Sequence, residues 1–149
     1  MTDCYYCGNG DTLRKLMIPV TDIGNASVYL FRDQTHRGKC IVVYRTAHKT
    51  EWFQLSQKEQ AGLIHAVSRT AEALDEVFHP DKINYATYGD KVNHLHIHVV
   101  PKYKDGPDWG IPFQDTRPPL LLEVMQYEGM VKEIKAAIDR LDECTSECQ

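Results

Sequence analysis

A chain of 149 residues is the length of one ordinary domain, and its 42% apolar and 26% charged residues supply both a core and a solvated surface. A formal net charge of −4 with a pI near 5.9 excludes a general attraction to nucleic acid or anionic lipid, so any phosphate must be held by local groups. No apolar run approaches the roughly 20 residues of a bilayer span, and Met1–Gly10 is polar rather than basic and then apolar, which predicts a cytoplasmic protein.

Five cysteines, an odd number in a chain read as cytoplasmic, predict reduced thiols or metal ligands rather than a disulfide framework. Cys4 and Cys7 form a tight C-x-x-C, Cys40 sits in an apolar run, and Cys144 and Cys148 read as a frayed helix end in the polar tail. Val28–Arg32 and Cys40–Tyr44 are β-branched and aromatic runs joined by the polar segment 33–39, which predicts a hairpin. Ser56-Gln57-Lys58-Glu59 is a capping box, and Leu63, Ile64, Val67, Ala71, Leu74 and Phe78 then recur at helical spacing until His79-Pro80 stops the helix. Ile83–Tyr88 and His94–Pro101 predict two more strands around the turn Gly89-Asp90-Lys91. Lys102–Pro119 is proline-rich and irregular, and Leu120–Leu141 predicts a C-terminal helix with Leu121, Leu122, Met125 and Met130 facing the core. Strands joined by hairpins without strict βαβ alternation point to α+β with a mostly antiparallel sheet.

The chemical signal is His94-Leu95-His96-Ile97-His98-Val99-Val100. In a strand the three histidines share one face at a repeat of roughly 6.6–7 Å, while Leu95, Ile97 and Val99 turn to the core. Such a column can place one nitrogen as a nucleophile while its neighbours orient it or donate to anionic oxygen, which suits phosphorus chemistry. A titrating polar sheet face, or a divalent-metal patch, fits the same spacing.

HLHIHVV, preceded by Gly89-Asp90-Lys91-Val92-Asn93, resembles the signature of the histidine-triad family. Asp33 before the hairpin, Cys40–Tyr44, His48, the helix from Ser56 and the strand from Ile83 follow in the family's order, so the likeness runs from Cys4 to about Pro101. The resemblance implies one domain over residues 1–149 with a histidine-triad-like α+β fold. That fold has about five mostly antiparallel strands, one long core helix and a C-terminal helix, and usually pairs into a homodimer. It implies hydrolysis or transfer of nucleotides, without nucleic acid or membrane as partner.

Carried onto this chain, the resemblance makes His96 the nucleophile toward the α-phosphorus and His98 a donor to phosphate oxygens. Gly89, Asp90, Lys91 and Val92 supply a phosphate-facing turn, and Asp33 accepts from ribose hydroxyls. The family's usual Gln followed by Ser or Thr is replaced by Asp90 and Lys91, so a carboxylate stands near the expected phosphate unless Asp90 is an outward turn residue or orients Lys91 or an amine leaving group. Trp109, in a Gly/Pro-rich loop, stacks on a base, caps a partner subunit's site, or packs under its own loop. Leu16, Ile18 and Val28 are equally walls for a base and ordinary core. His36, His65 and His79 are assigned no chemistry, with His36 read as a loop residue.

The chain also resembles zinc-bearing members of the superfamily, in which the histidine two residues before the nucleophile is a ligand. That likeness implies a structural zinc held by Cys4, Cys7, His48 and His94, with residues 1–10 as the zinc-binding segment. An unmetallated pair of reduced cysteines is the alternative. Three classes of function follow: an enzyme acting through His96 on a dinucleoside polyphosphate or nucleoside phosphoramidate, a nucleotide-binding regulator with little turnover, and a zinc-stabilised interaction module.

Overall fold

The computed structural model describes residues 4–8 and 10–146, with the side chains of residues 145 and 146 undescribed; Cys148 lies outside that range. The elements run α1 (Asp11–Leu16), β1 (Met17–Ile23), β2 (Ala26–Phe31), β3 (Cys40–Tyr44), a 3-10 turn at Trp52–Gln54, α2 (Gln57–Phe78), β4 (Lys82–Ala86), β5 (His96–Lys102) and α3 (Val124–Ser146). The strands form a five-stranded sheet of order β1-β2-β3-β5-β4 with every neighbouring pair antiparallel. This is the α+β architecture that the hairpin-joined strands predict.

One face of the sheet is closed by α2 and α3. Val28, Leu30, Val42, Leu95, Ile97 and Val99 from the sheet meet Leu63, Val67 and Leu74 of α2 and Met130, Ile134 and Ile138 of α3 in a single buried cluster. The other face carries a smaller cluster of Leu13, Met17, Ile41 and Val43, against which Tyr5, Tyr6, Tyr29 and Phe31 pack. The central strands β3 and β5 are buried on both faces. Their two sets of side chains therefore serve different layers, one hydrocarbon and one chemical.

Helix α2 starts as its sequence prescribes. The Ser56 hydroxyl accepts from the Glu59 amide and the Glu59 carboxylate accepts from the Ser56 amide. Glu59 also accepts from the Tyr44 hydroxyl at 2.6 Å, which ties the helix start to the end of β3. His79 ends the helix in the left-handed region at φ 50°, with its amide on Asp75 O. Ile64, expected on the apolar face, is instead exposed, and Ala66, Thr70 and Ala73 fill the buried stripe. Their small volumes bring the helix close to the sheet, whereas Ile64 lies beyond the edge of the contact.

Strand β1 and helix α1 are not among the sequence expectations. β1 is an edge strand interrupted by Pro19 and by a register irregularity between Pro19 and Thr21, so its period-two pattern is broken where it would be read. α1 has only six residues, too few for a periodic signal. The C-terminal helix begins at Val124 rather than Leu120, because 118–123 is irregular and its backbone is bound elsewhere: Leu120 O accepts from the Gln34 amide and Leu120 N donates to the Asp33 carboxylate. Leu121 and Met125 are consequently exposed, contrary to expectation, while Met130 is buried and Leu122 packs against the core.

Candidate active site and metal centre

The three histidines stand on the sheet face opposite α2. β5 proper starts at His96, with Val43 paired to His96 and Ile41 to His98. His94 lies just before the strand in a bend, where its own amide donates to Val92 O, and Leu95 is held by Tyr44 N donating to Leu95 O and Leu95 N donating to Lys49 O. Leu95, Ile97 and Val99 enter the large core, so the alternation expected of the heptad is realised.

Each ring has a distinct set of contacts. His94 Nε2 is 2.6 Å from Tyr44 O, a carbonyl that can only accept, so Nε2 carries the proton and Nδ1 is left with its lone pair. Nδ1 faces the Cys4 Sγ at 3.3 Å and the Cys7 Sγ at 3.5 Å. Cys7 Sγ lies 3.2 Å from His48 Nδ1, and the four ligand atoms of Cys4, Cys7, His48 and His94 all fall within 4.8 Å of one another. Metal–ligand bonds of about 2.0–2.3 Å in a tetrahedron separate neighbouring donors by roughly 3.4–3.8 Å, close to these spacings. Two soft thiols and two imidazoles, one already oriented through its far nitrogen by a backbone carbonyl, fit a closed zinc site.

His96 repeats the device one step along. Its Nδ1 is 2.5 Å from His94 O, so Nδ1 donates and Nε2 keeps the lone pair. Burial holds its pKa below the ordinary histidine value despite that carbonyl, which favours the neutral, nucleophilic ring. His98 is buried, with its centroid 5.2 Å from that of His96. Burial first, and then the nearby Lys39 and His96, push its pKa down to about 3. Its Nδ1 is buried without a hydrogen-bond partner among the described residues. An unpaired polar atom in such a place is a ready contact for a polar ligand.

His96 and His98 open onto a cavity of about 500 Å³, within the size range of small-molecule sites. Tyr5, Tyr6, Leu16, Phe31, Ile41, Tyr88, Asp90, Lys91, Val92 and Asp115 complete its lining. Of the residues singled out by sequence, Asp90, Lys91 and Val92 thus meet the histidines and Gly89 stands in the same turn outside the lining. Asp33 lies outside the lining too. Its Oδ1 accepts from Thr35 N, Thr35 Oγ1 and Leu120 N, and although burial opposes this, those bonds bring its pKa below the usual carboxylate value. Trp109 is not brought to this cavity. It lines a separate recess on edge strand β4 with Tyr85, Ile111 and Phe113. Leu16 is a cavity wall, whereas Val28 is core and Ile18 packs against it.

His36 lies in the loop between β2 and β3, as expected, but is not a surface residue. It is buried at 2% exposure, with Nε2 3.1 Å from the Asp108 carboxylate, which Arg117 grips through both of its terminal nitrogens. The fully buried Lys102 donates to the carbonyls of Asp108 and Ile111, so segment 103–119 is strapped to the sheet end. Sequence reasoning also passes over Tyr6, whose ring lies 5.5 Å from His94 and 5.1 Å from His96, and over Tyr88 and Phe113, which flank His98 at 5.6 and 5.5 Å. The signal for Tyr6 was available: a residue between two ligands that meet His94 must lie beside the strand that carries His96.

A model of the HIT domain matches residues 23–105, more than half of the chain. The chain is 28% identical over 102 residues, 60% of its length and 70% of the relative's, to "Protein hit" of Bacillus subtilis strain 168. A histidine triad protein from Marinobacter aquaeolei VT8 superposes with a TM-score of 0.80 at 25% identity, covering 89% of this chain and 96% of that one. A zinc-bound histidine triad family protein from Mycobacterium smegmatis gives 0.67 at 25% identity, covering 95% and 97%.

The depressed His98 pKa has a measurable sign. The unfolded chain takes up this proton below the ordinary value near 6.5 and the folded chain only near 3, so burial of His98 makes folding weaken as pH falls through that window. In an NMR titration the His98 ring should remain neutral from pH 8 to pH 5; a charge change centred near pH 6 would contradict the burial argument.

Proposed function

The chain belongs to the histidine-triad (HIT) domain family, and from that premise we propose that it is a nucleotide hydrolase or nucleotidyltransferase acting through His96. The observation that carries the reading is the bond from His96 Nδ1 to His94 O, which leaves Nε2 unprotonated beside the cavity. Family membership by itself supports a nucleotide-binding or hydrolase-type function; the covalent route and the substrate class are our proposal.

In that route the Nε2 lone pair attacks the α-phosphorus, and the bond from phosphorus to the leaving group breaks with its electron pair going to the leaving group. The product is a nucleotidyl-histidine. Water then attacks the same phosphorus, the P–N bond breaks with its pair returning to Nε2, the water's proton passes to solvent, and a nucleoside monophosphate departs; an alcohol or phosphate in place of water gives transfer. His98, neutral at physiological pH, donates to a non-bridging oxygen as its charge builds, and the turn of Gly89, Asp90, Lys91 and Val92 adds amide donors. Asp33, two residues beyond the cavity-lining Phe31, offers its second oxygen to ribose hydroxyls. Dinucleoside polyphosphates and nucleoside phosphoramidates are the proposed substrate classes. Asp90 in the cavity wall favours a second reading, a nucleotide-binding regulator with little turnover, because a carboxylate there repels a phosphate.

Cys4, Cys7, His48 and His94 would hold zinc, which supplies rigidity to the N-terminal segment and takes no part in the reaction. Nothing in the route above passes through it. A homodimer is proposed through the edge of β4, where Tyr85, Trp109 and Ile111 are exposed together.

With labelled substrate, trapped acid-labile label should sit on His96, and His96→Ala should lower kcat by about 1000-fold or more while nucleotide is still bound; full turnover in that variant removes the mechanism, and nucleotide binding with no turnover in the native protein selects the regulator. Metal analysis should return about one zinc per chain, with Cys4→Ser losing most of it and melting lower; less than about half an equivalent in the native protein ends the zinc assignment. Light scattering at tens of micromolar should give twice the chain mass, and a monomer there rejects the edge pairing.

A further inference from the structure

Lys39 precedes Cys40 on β3, and the period of two puts it on the same face as Ile41 and Val43, the partners of His98 and His96. Its side chain is only 1% exposed. The ammonium sits 4.3 Å from the ring centroid of Phe31 and 4.7 Å from that of Phe113, and donates to Asp115 Oδ1 at 2.8 Å. Phe31 and Asp115 line the His96 cavity, Phe113 flanks His98, and the charges of Lys39 and Asp115 both act on His98. A buried cation therefore stands at the end of the histidine column, with the Asp115 carboxylate and two π faces in contact and the Asp33 carboxylate within Coulombic reach.

The two partners are not equivalent. Lys39 is desolvated and cannot do without an anion, whereas Asp115 is 48% exposed on an irregular segment and can turn to water at little cost. A phosphate oxygen has the same charge sign and accepting geometry as the carboxylate, and an ammonium has three donors to offer it. The other cations nearby are less suited: Lys91 is exposed and hydrated, Lys102 is bound to two carbonyls, and Arg117 is bound to Asp108.

We propose that Lys39 is a phosphate-binding residue of this site and that Asp115 is its internal stand-in, displaced when the substrate's leaving group carries a phosphate. The assignment rests on the reading of His96 as nucleophile for its place in the site, and it narrows the proposed substrates to nucleotides whose leaving group is itself phosphorylated, over those that expel a neutral amine. No bond is made or broken at Lys39; one anion replaces another on the ammonium, and the Asp115 carboxylate is released to solvent.

The test compares the native protein, Lys39→Met and Asp115→Asn. AMP and ADP binding are measured by calorimetry, and kcat/KM is measured on a diadenosine polyphosphate and on an AMP phosphoramidate whose amine is neutral once expelled. The native protein should bind ADP more tightly than AMP. Lys39→Met should erase that preference and lose about tenfold or more on the polyphosphate, with less than about threefold on the phosphoramidate. Asp115→Asn should strengthen ADP binding, since the competitor for Lys39 is gone. Equal losses on both substrates in Lys39→Met, no ADP preference in the native protein, or weakened ADP binding in Asp115→Asn each overturn the proposal. If Lys39→Met does not fold, the sign of the Asp115→Asn change decides. An ADP preference that Lys39→Met abolishes in a protein without turnover upholds the phosphate site while the catalytic reading fails; turnover through His96 without an ADP preference does the reverse.

Discussion

His94 is the residue on which the site depends, because both ring nitrogens and its carbonyl act at once. Nε2 is fixed by Tyr44 O, Nδ1 is thereby turned to the Cys4 and Cys7 sulfurs, and its carbonyl sets the tautomer of His96. A single histidine thus converts a backbone hydrogen bond on one side into a free lone pair on the next ring, with no carboxylate needed to orient the nucleophile. Tyr44 is itself held by its hydroxyl on Glu59, inside the capping box of α2, so the chain of restraint runs from a helix terminus through β3 to the reactive nitrogen.

The sheet separates two solvents. Behind β5, Leu95, Ile97 and Val99 share hydrocarbon with α2 and α3; in front, the imidazoles stand among the rings of Tyr6, Tyr88 and Phe113. Aromatic walls keep water from the rings, and burial favours the neutral forms of His96 and His98. The buried positive charges of this layer are matched, Lys39 by Asp115 and Lys102 by its two carbonyls.

Much of this was legible from residues alone, and the reasons are physical. A heptad of alternating histidine and aliphatic residues has one geometry that buries the aliphatics, so the strand and its two faces could be read from it. The capping box at Ser56 and the stop at His79-Pro80 mark α2 because caps are local chemistry. β1 escaped because Pro19 and a register irregularity disrupt its alternation. Leu121 and Met125 were misplaced because the helix start at Val124 depends on Asp33 and Gln34, some ninety residues away, binding the backbone of Leu120 outside a helix. His36, Asp108 and Asp115 could not have been found by periodicity, since they come from irregular segments whose paths are set by tertiary hydrogen bonds and ion pairs.

The two residues between Cys4 and Cys7 have a double obligation. Tyr5 and Tyr6 are the spacer that lets two sulfurs converge on His94, and they also form one wall of the chamber that receives the nucleotide in the proposed reaction. Lengthening or shortening that spacer by one residue would rotate a tyrosine off the His96 ring at the same moment as it spoiled the ligand set. The cysteine pair and the chamber wall are therefore one mechanical unit, and neither can be moved without moving the other.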